Sequence, residues 1–492
     1  MTRLTSLTEG GWVSNSAVVI HWVTYNVPGP ETVHLEYSPD GGSSWSTIAN
    51  GVTASDQMVV WDTTLVSDTP AGLLRITGIM DTNLTDQTTN FFVIRNAGLD
   101  IYINDGSNLG DVYTTGLGSP ANLQATATQP LDSLITALSL FDLEPGDRIF
   151  LDAGTYSESQ NVVFSRKDSG SVTHPVWLIG SSSDPNAACG PSIVSHSGSN
   201  DTDFALSFRC VEHVSVSNVL FETGYNGINI GQSEGIELRQ VRSRNNRSDG
   251  ILVSNSTDVL VSRSVVSDSL GRGFRVQSGS SNIRILQSIS WNNDLGSLSQ
   301  AGGDVFIRNS VMSASGSGRF VFNISGGGTV DSQHNSIFYA SQARVGRSGF
   351  VIMNTIENWR VNTMNDLFSV GSDPLFFNPA GGDYHLQSTT GRREACVTNR
   401  ATDAAHSPLI DTGDPLSVFA NEEMPNGGRI NIGIYGNHPD ASLSLNGIAA
   451  TGFVQAVTFA DGGVAQGDMV TLRWISVGAV AGHTLSIEIS TD

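Results

Sequence analysis

Between Val214 and Ile285, short runs of alternating apolar and polar residues recur at nearly fixed spacing. Gly227-Ile228-Asn229-Ile230, Gly250-Ile251-Leu252-Val253 and Gly273-Phe274-Arg275-Val276 begin 23 residues apart. Val214-Ser215-Val216, Ile236-Glu237-Leu238, Val259-Leu260-Val261 and Ile283-Arg284-Ile285 interleave with them at steps of 22, 23 and 24. Alternation of period two predicts strands with one buried face, and two or three such strands per 23 residues predict a solenoid. Each turn then advances by one strand spacing, roughly 4.8 Å. No single turn can bury its own apolar face, so the turns must stack.

Upstream the pattern differs. Leu131, Leu134, Ile135, Leu138 and Phe141 share one helical face, and Pro145-Gly146-Asp147 turns into the strand Arg148-Ile149-Phe150-Leu151. Earlier still, Val18-Val19-Ile20-His21-Trp22, Leu35-Glu36-Tyr37, Trp61 and Leu74-Arg75-Ile76 alternate as half-buried antiparallel strands. Asp40-Gly41-Gly42 before Trp45 is a hairpin turn. This segment recurs at the C-terminus at a constant shift of 452: Gly10, Trp22, Glu36 and Asp40 reappear as Gly462, Trp474, Glu488 and Asp492. The two tryptophans are expected to be matching core anchors. A second copy cut off after two or three strands has half a core, so the expected protein is longer and carries further copies of the unit.

On these residues the chain resembles known families in three places. Residues 1–97 resemble an immunoglobulin or fibronectin type III sandwich. The 131–156 region resembles the N-terminal cap and first strand of right-handed parallel β-helix proteins of the pectate-lyase-like superfamily, in which an amphipathic helix plugs the end of the stack. Asp373-Pro374-Leu375-Phe376, Asp383-Tyr384-His385-Leu386, Ser407 to Pro415 and Asn426 to Asn437 resemble the closing motifs of bacterial secreted β-helix proteins. The expected fold class is therefore all-β. It comprises a sandwich over 1–97 and a right-handed parallel β-helix over 98–442, with cap and first strand in 98–160 and closing segment in 371–442. A linker (443–452) and a partial second sandwich (453–492) follow.

Composition narrows the function. With 25 Lys plus Arg against 47 Asp plus Glu, the net charge is −22. No global positive field exists to attract nucleic acid or an anionic membrane, so neither is an expected partner. No run of about 18 apolar residues predicts a membrane span. The polar start, Met1 to Gly11, has no apolar segment of a signal peptide, yet the composition suits an extracellular or cell-surface protein, with a signal upstream of this stretch. Three cysteines fit no zinc motif. Cys189 and Cys210, about one turn apart, are either bonded neighbours or two small buried thiols. Asn218, Asn245, Asn246, Asn292 and Asn293 fall at bends, where stacked amides satisfy backbone groups from turn to turn.

Charge is uneven. Between Arg239 and Arg284 lie eight arginines (239, 242, 244, 247, 263, 272, 275 and 284) against Asp249, Asp258 and Asp268, a local excess of five positive charges. Residues one period apart, such as Arg239 and Arg263 or Arg247 and Arg272, are expected to align along one flank. Guanidinium forks bind carboxylate or sulfate in bidentate fashion, so an anionic polysaccharide is the expected partner. Arg239, Arg244 and Arg263 are the ligand-binding candidates, with Tyr225, Phe274 and Trp291 to stack on sugar rings and Phe306 as a further aromatic. The competing reading is that the arginines simply neutralise nearby acids.

Polysaccharide lyases of the resembled superfamily use Ca²⁺ held by aspartates and an Arg or Lys base. Lys167, the only lysine, lies far from the cluster in sequence. The lyase reading therefore names Arg247, Arg272 and Arg275 as base candidates, Asp249 and Asp268 as acid groups, and Asp294 and Asp304 as Ca²⁺ ligands. Compact acid clusters of the lyase kind are absent from the sequence, and Asp249-Gly250 also reads as a turn. A glycosidase would need two or three carboxylates on neighbouring turns, and the motif order of polygalacturonase-like enzymes is missing. The Asn104–Asp111 loop offers oxygen ligands but lacks the acidic twelfth residue of an EF-hand. His196, His213 and His334 are isolated. Binding for surface attachment or recognition is the leading expectation, a lyase or a glycoside hydrolase of the resembled superfamily the second, and a purely structural stalk the third.

Overall fold

The alternating runs form strands in a computed structural model, which describes residues 1–13, 18–25, 31–96, 98–186, 189–445, 453–456, 458, 471–477 and 486–488. Two compact units result: Met1–Leu99 with Glu144–Asp147, and Asp100–Leu143 with Arg148–Asp492. The first holds a three-stranded sheet (Thr2–Leu4, Val18–Thr24, Met58–Trp61) and a sheet built around Thr32–Ser38 and Thr69–Gly78. Pairing is antiparallel except between Gly11–Val13 and Phe92–Ile94. Inward residues of both sheets, among them Ile20, Trp22, Leu35, Trp61, Ile76 and Phe92, form one core. Trp22 buries its ring and donates Nε1–H to the Ala54 carbonyl at 3.0 Å, so its one polar atom is satisfied. At the turn, Gly41 and Gly42 take φ of 68° and 97°, and the second of these favours glycine, which has no Cβ.

Of the second copy, the structure describes an antiparallel hairpin, Phe453–Ala456 with Trp474–Val477. Trp474 does not match Trp22: it is 42% exposed against 1%, and its neighbour Ile475 is buried instead. Gly462 and Asp492 lie outside the described residues.

The second unit is a parallel coil stack with three sheets. The first sheet runs from Asp100–Ile103 to Val330–Gln333 in nine strands, and the second from Gly154–Glu158 to Ser336–Ala340 in eight. The third runs from Val162–Ser165 to Arg344–Ser348 and ends on the antiparallel strand Val351–Met353. Consecutive strands visit the three sheets in turn, as parallel pairing with a crossover requires. Like residues stack inside. Ile101, Ile149, Leu178, Val216, Leu238, Val261, Ile285 and Ile307 form one inward column. It ends at Ser332.

From Cys210 onward most bends contain a left-handed residue. After the first sheet these are Asn218, Gln240, Arg263, Gln287, Asn309 and His334, with φ from 49° to 59°. After the second sheet they include Asn245, Asp268 and Asn292. Asn and Asp tolerate this region through their short polar side chains. Behind the first bend runs a buried serine ladder: Ser264, Ser288 and Ser310 each accept a backbone N–H from the preceding turn at 3.1–3.2 Å, and Asn335 continues it at 2.9 Å. Asn246 and Asn293 play the expected amide role through Ser269 behind the second bend.

Both ends of the stack are sealed. The helix Leu134–Leu140 is capped by Ser133, whose Oγ accepts from Thr136 N–H, and buries Leu134, Ala137 and Leu138. At the other end the helix Ile356–Thr363 lays Trp359 flat on Phe322, with centroids 4.7 Å apart at 13°. Gly346 permits this, since a Cβ there would sit 2.6 Å from the Trp359 ring. The closing segment then packs along the outer face of the second sheet. Val265, Ile289 and Val311 of that face share a buried cluster with Val370, Phe376, Tyr384, Leu386 and Leu409. Cys189 is bonded to Cys396, with Cα atoms 5.1 Å apart, so neither expected reading of Cys189 and Cys210, a bonded pair or two small buried thiols, holds. Cys189 sits in the loop between the first and second sheets, whereas Cys210 is a free left-handed residue at the third bend. No helix among the described residues is long and apolar enough to cross a membrane.

Candidate functional site

The eight arginines do not form one ladder. A turn shows three faces to solvent, so a window of two turns spreads its charges over all of them. Arg239 and Arg284 lie on the first sheet, Arg242 and Arg244 on the second, Arg263 at the first bend and Arg275 on the third sheet, with Arg247 and Arg272 between the second and third. Arg239 bonds Glu237 two residues away on its own strand, and Arg244 bonds Glu222 of the preceding turn at 2.9 Å. Arg247 clamps a neighbouring loop: it donates to the carbonyls of Gly198, Ser199 and Asn200, with its guanidinium 5.9 Å from the centre of the Tyr225 ring.

What the fold brings together is a smaller group beside the third sheet. Parallel register puts Asn229, Leu252, Arg275, Ser299, Asn323 and Arg347 in one outward column. Arg347 lies outside the arginine-rich window, and sequence reasoning missed it. Only the summed register of successive turns reveals it as a partner of Arg275. Arg347 Nε donates to Asn323 Oδ1 at 3.2 Å, and no acid among the described residues is within ion-pairing distance of it. Arg272 joins the group from the turn before Phe274.

One carboxylate organises these cations. Asp249 is 1% exposed and accepts the Arg272 backbone N–H at 2.9 Å and Arg275 Nη1 at 3.3 Å, with Arg272 Nη1 at 4.0 Å. The Asp249-Gly250 turn and the charged site are therefore the same feature. Burial pushes the Arg272 guanidinium below its ordinary value; Asp249 opposes this, and Arg275 and Arg347 reinforce it. Its Nε is buried without a partner. Two guanidiniums share the one carboxylate of Asp249, and Arg347, further along the column, has none, which leaves a local positive excess on the third sheet's outer face.

Other expected residues fall elsewhere. Phe274 is 2% exposed and points into the stack, because the alternation that exposes Arg275 buries its neighbours. It is a core residue and cannot stack on sugar. Trp291 is half-buried against the closing segment, stacked on Phe338 at 5.6 Å and edge-on to Phe376. Phe306 lies on the first sheet under Arg308, 4.0 Å from its guanidinium. Asp268 is the left-handed bend residue that accepts Asn292 Nδ2 at 2.7 Å. Both oxygens of Asp294 accept from Arg319 Nη2, at 3.0 and 2.9 Å. Asp304 caps Thr329 through its N–H and Oγ1. Asp294 and Asp304 flank a third-sheet strand at different bends, so they do not converge on one ion. Among the described residues, the single group of three that could hold a metal is Asp184, Cys189 and Cys396, two of them the cystine.

Residues 179–342 match the family model described as the right handed beta helix region. Among solved structures, the pectate lyase Pel9A is similar at 14% identity, covering 69% of this chain and 96% of that one with a TM-score of 0.42. An alginate lyase from Paenibacillus sp. str. FPU-7 is 12% identical over 45% of this chain and 96% of its own, with a TM-score of 0.28. A family 28 exopolygalacturonase from Yersinia enterocolitica is 10% identical over 68% and 85%, with a TM-score of 0.24. No curated protein matches the chain.

Proposed function

We propose, for this right-handed parallel β-helix with its antiparallel sandwich, that the coil stack binds an anionic polysaccharide along the outer face of the third sheet. The observation that carries the reading is the column in which Arg275 and Arg347 stand three strand steps apart, flanked by Arg272 and lacking acids of their own beyond Asp249. Three steps of a sheet amount to about 14 Å. A polymer with a carboxylate or sulfate on successive units meets these forks in turn, while Asn323 between them offers an amide. Such binding serves attachment or recognition outside the cell, and the 452-residue repeat supports several such units in one protein. The test is binding of polygalacturonate, alginate and sulfated glycans at low and high salt. Binding that is absent, or insensitive to salt, would sink the reading.

Arg272 favours a second reading, β-elimination. A guanidinium held below its ordinary value by burial is a better base than a free one. It would take the proton α to a uronate carboxyl, and the C–O bond to the next sugar would break to leave an unsaturated uronate. Arg275 and Arg347 would stabilise the negative charge that develops on the carboxyl. Ca²⁺ belongs in the assay because such reactions draw on a cation. Absorbance of unsaturated uronate that rises with the protein and disappears in Arg272→Ala would establish it.

A further inference from the structure

A cavity of about 430 Å³ opens at the first bend of the coil stack, between the loop carrying Ser181–Asp184 and Cys189 and the closing segment around His385, Cys396 and Tyr435. It lies on a different face from the Asp249 group. The bend residues explain why it is open. In the left-handed column of this bend, Gln287 Nε2 donates to the Gly436 carbonyl at 2.6 Å and Asn309 Nδ2 to Ser417 Oγ at 2.8 Å. Those two amides hold the closing segment. Asn218 and Gln240 occupy the same position on earlier turns, line the cavity, and have no side-chain partner among the described residues.

The charges in the cavity are unequally matched. Asp184 pairs with Arg242 at 3.1 Å, and Asp440 lies 3.5 Å from both His438 and Arg393. Arg263 donates one bond to the Asn437 carbonyl at 2.8 Å and has no carboxylate at ion-pairing distance among the described residues. The acid that acts on it electrostatically, Glu422, is pushed up to about 8 by burial and is largely neutral at pH 7. A half-buried guanidinium without a counter-charge is costly, and the cost is relieved by a bound anion. His385 adds a fixed wall. It is 3% exposed, held by Asp383 at 2.6 Å through Nδ1 and stacked on Tyr435 at 3.7 Å, and its Nε2 has no protein partner.

We propose that this cavity is a second ligand site, for a single acidic sugar unit whose carboxylate sits on Arg263 and whose hydroxyls meet Asn218, Gln240 and Asp440. The choice of an acidic sugar rests on the anionic-glycan reading; the site itself is independent of the third-sheet column. Isothermal titration of the full chain with galacturonic acid should show saturable binding, about tenfold weaker or more with galactose, which lacks the carboxylate. Arg263→Met should abolish it. Gln240→Gly removes an exposed amide at a φ of 52° that glycine adopts freely, so the fold stays intact and the affinity should drop about threefold or more. The double variant Arg275→Ala/Arg347→Ala should leave galacturonic acid binding unchanged while weakening the polymer. Loss of the polymer alone in the native chain overturns the third-sheet reading and spares this one. No binding of the monosaccharide, equal binding of galactose, or full binding by both folded cavity variants overturns the second site.

Discussion

Arg275 and Arg347 occupy one outward column of the third sheet, separated by Ser299 and Asn323. Neither has an acid of its own apart from the Asp249 contact to Arg275. A charge-assisted hydrogen bond contributes roughly 1.5–3 kcal/mol, so Arg275→Ala or Arg347→Ala should each weaken polyuronate binding about tenfold or more. Affinity electrophoresis or titration at two salt concentrations checks this, and equal affinity for both variants and the parent removes the column from the binding face.

Asp249→Asn should act in the opposite direction. The amide oxygen can still accept the Arg272 backbone N–H, while the negative charge beside Arg272 and Arg275 is gone. Polyuronate should bind more tightly, with a steeper loss on adding salt. A weaker complex from a folded variant would mean that Asp249 positions the forks more than it neutralises them.

Trp359 seals the far end of the stack by lying on Phe322 and donating Nε1–H to Asp366 at 2.9 Å. Trp359→Ala should cost about 3–5 kcal/mol in denaturant unfolding. Trp359→Phe keeps most of the packing but leaves one oxygen of the fully buried Asp366 without its donor, and should cost about 1–3 kcal/mol.

The cystine closes a stretch of 207 residues between the loop at Cys189 and the closing segment at Cys396. Removing such a bond typically costs about 2–5 kcal/mol. Cys189→Ser should therefore unfold at lower temperature than the parent, with the closing segment the first to become protease-sensitive. Thiol titration of the denatured parent should find Cys210 alone, and all three cysteines only after reduction.

Buried acids give stability a direction with pH. Burial raises Glu422 from 4.5 to about 8 and Asp411 from 3.8 to about 6. Above its unfolded value and below its folded one, each binds a proton only in the native state, so their contribution is full in acid and is lost as pH rises through those folded values. His334 runs the other way: burial lowers it from 6.5 to about 4, and its contribution is lost as pH falls through that window. Melting temperature should decline from about pH 6 to pH 8, and Glu422→Gln should flatten the decline. The amide oxygen can still accept from Asn431 and Asn437, whose N–H groups Glu422 Oε1 now holds at 2.9 and 2.8 Å.

Much of the fold is legible because stacking imprints a period: a turn that cannot bury its own apolar face repeats its alternation every 22 to 24 residues. The helix plug was visible through Leu131, Leu134 and Leu138. The site was less legible for a geometric reason. Sequence distance along a coil mixes three faces, so nearness of Arg239 to Arg244 says nothing about a shared surface, while Arg275 and Arg347 share one at a separation of 72 residues. Asp249 read more readily as a turn than as a charged group, and it is both. The cystine and the first-bend cavity depend on where the closing segment returns along the stack, a long-range contact that no local pattern records. His385 and Arg263 meet only there.

That return path also fixes the size of the protein's central body. The closing segment grips successive turns at set heights, Arg263 through Asn437, Gln287 through Gly436 and Asn309 through Ser417 and the Gly433 N–H. It works as a gauge rod laid beside a spring. Inserting or deleting one turn between Arg263 and Asn309 would shift every later grip by about 4.8 Å and unseat the rod, even though the spring by itself would accept the change. Variation in length is therefore confined to turns outside the gauged span, and evolution or design can lengthen this solenoid only from its ends.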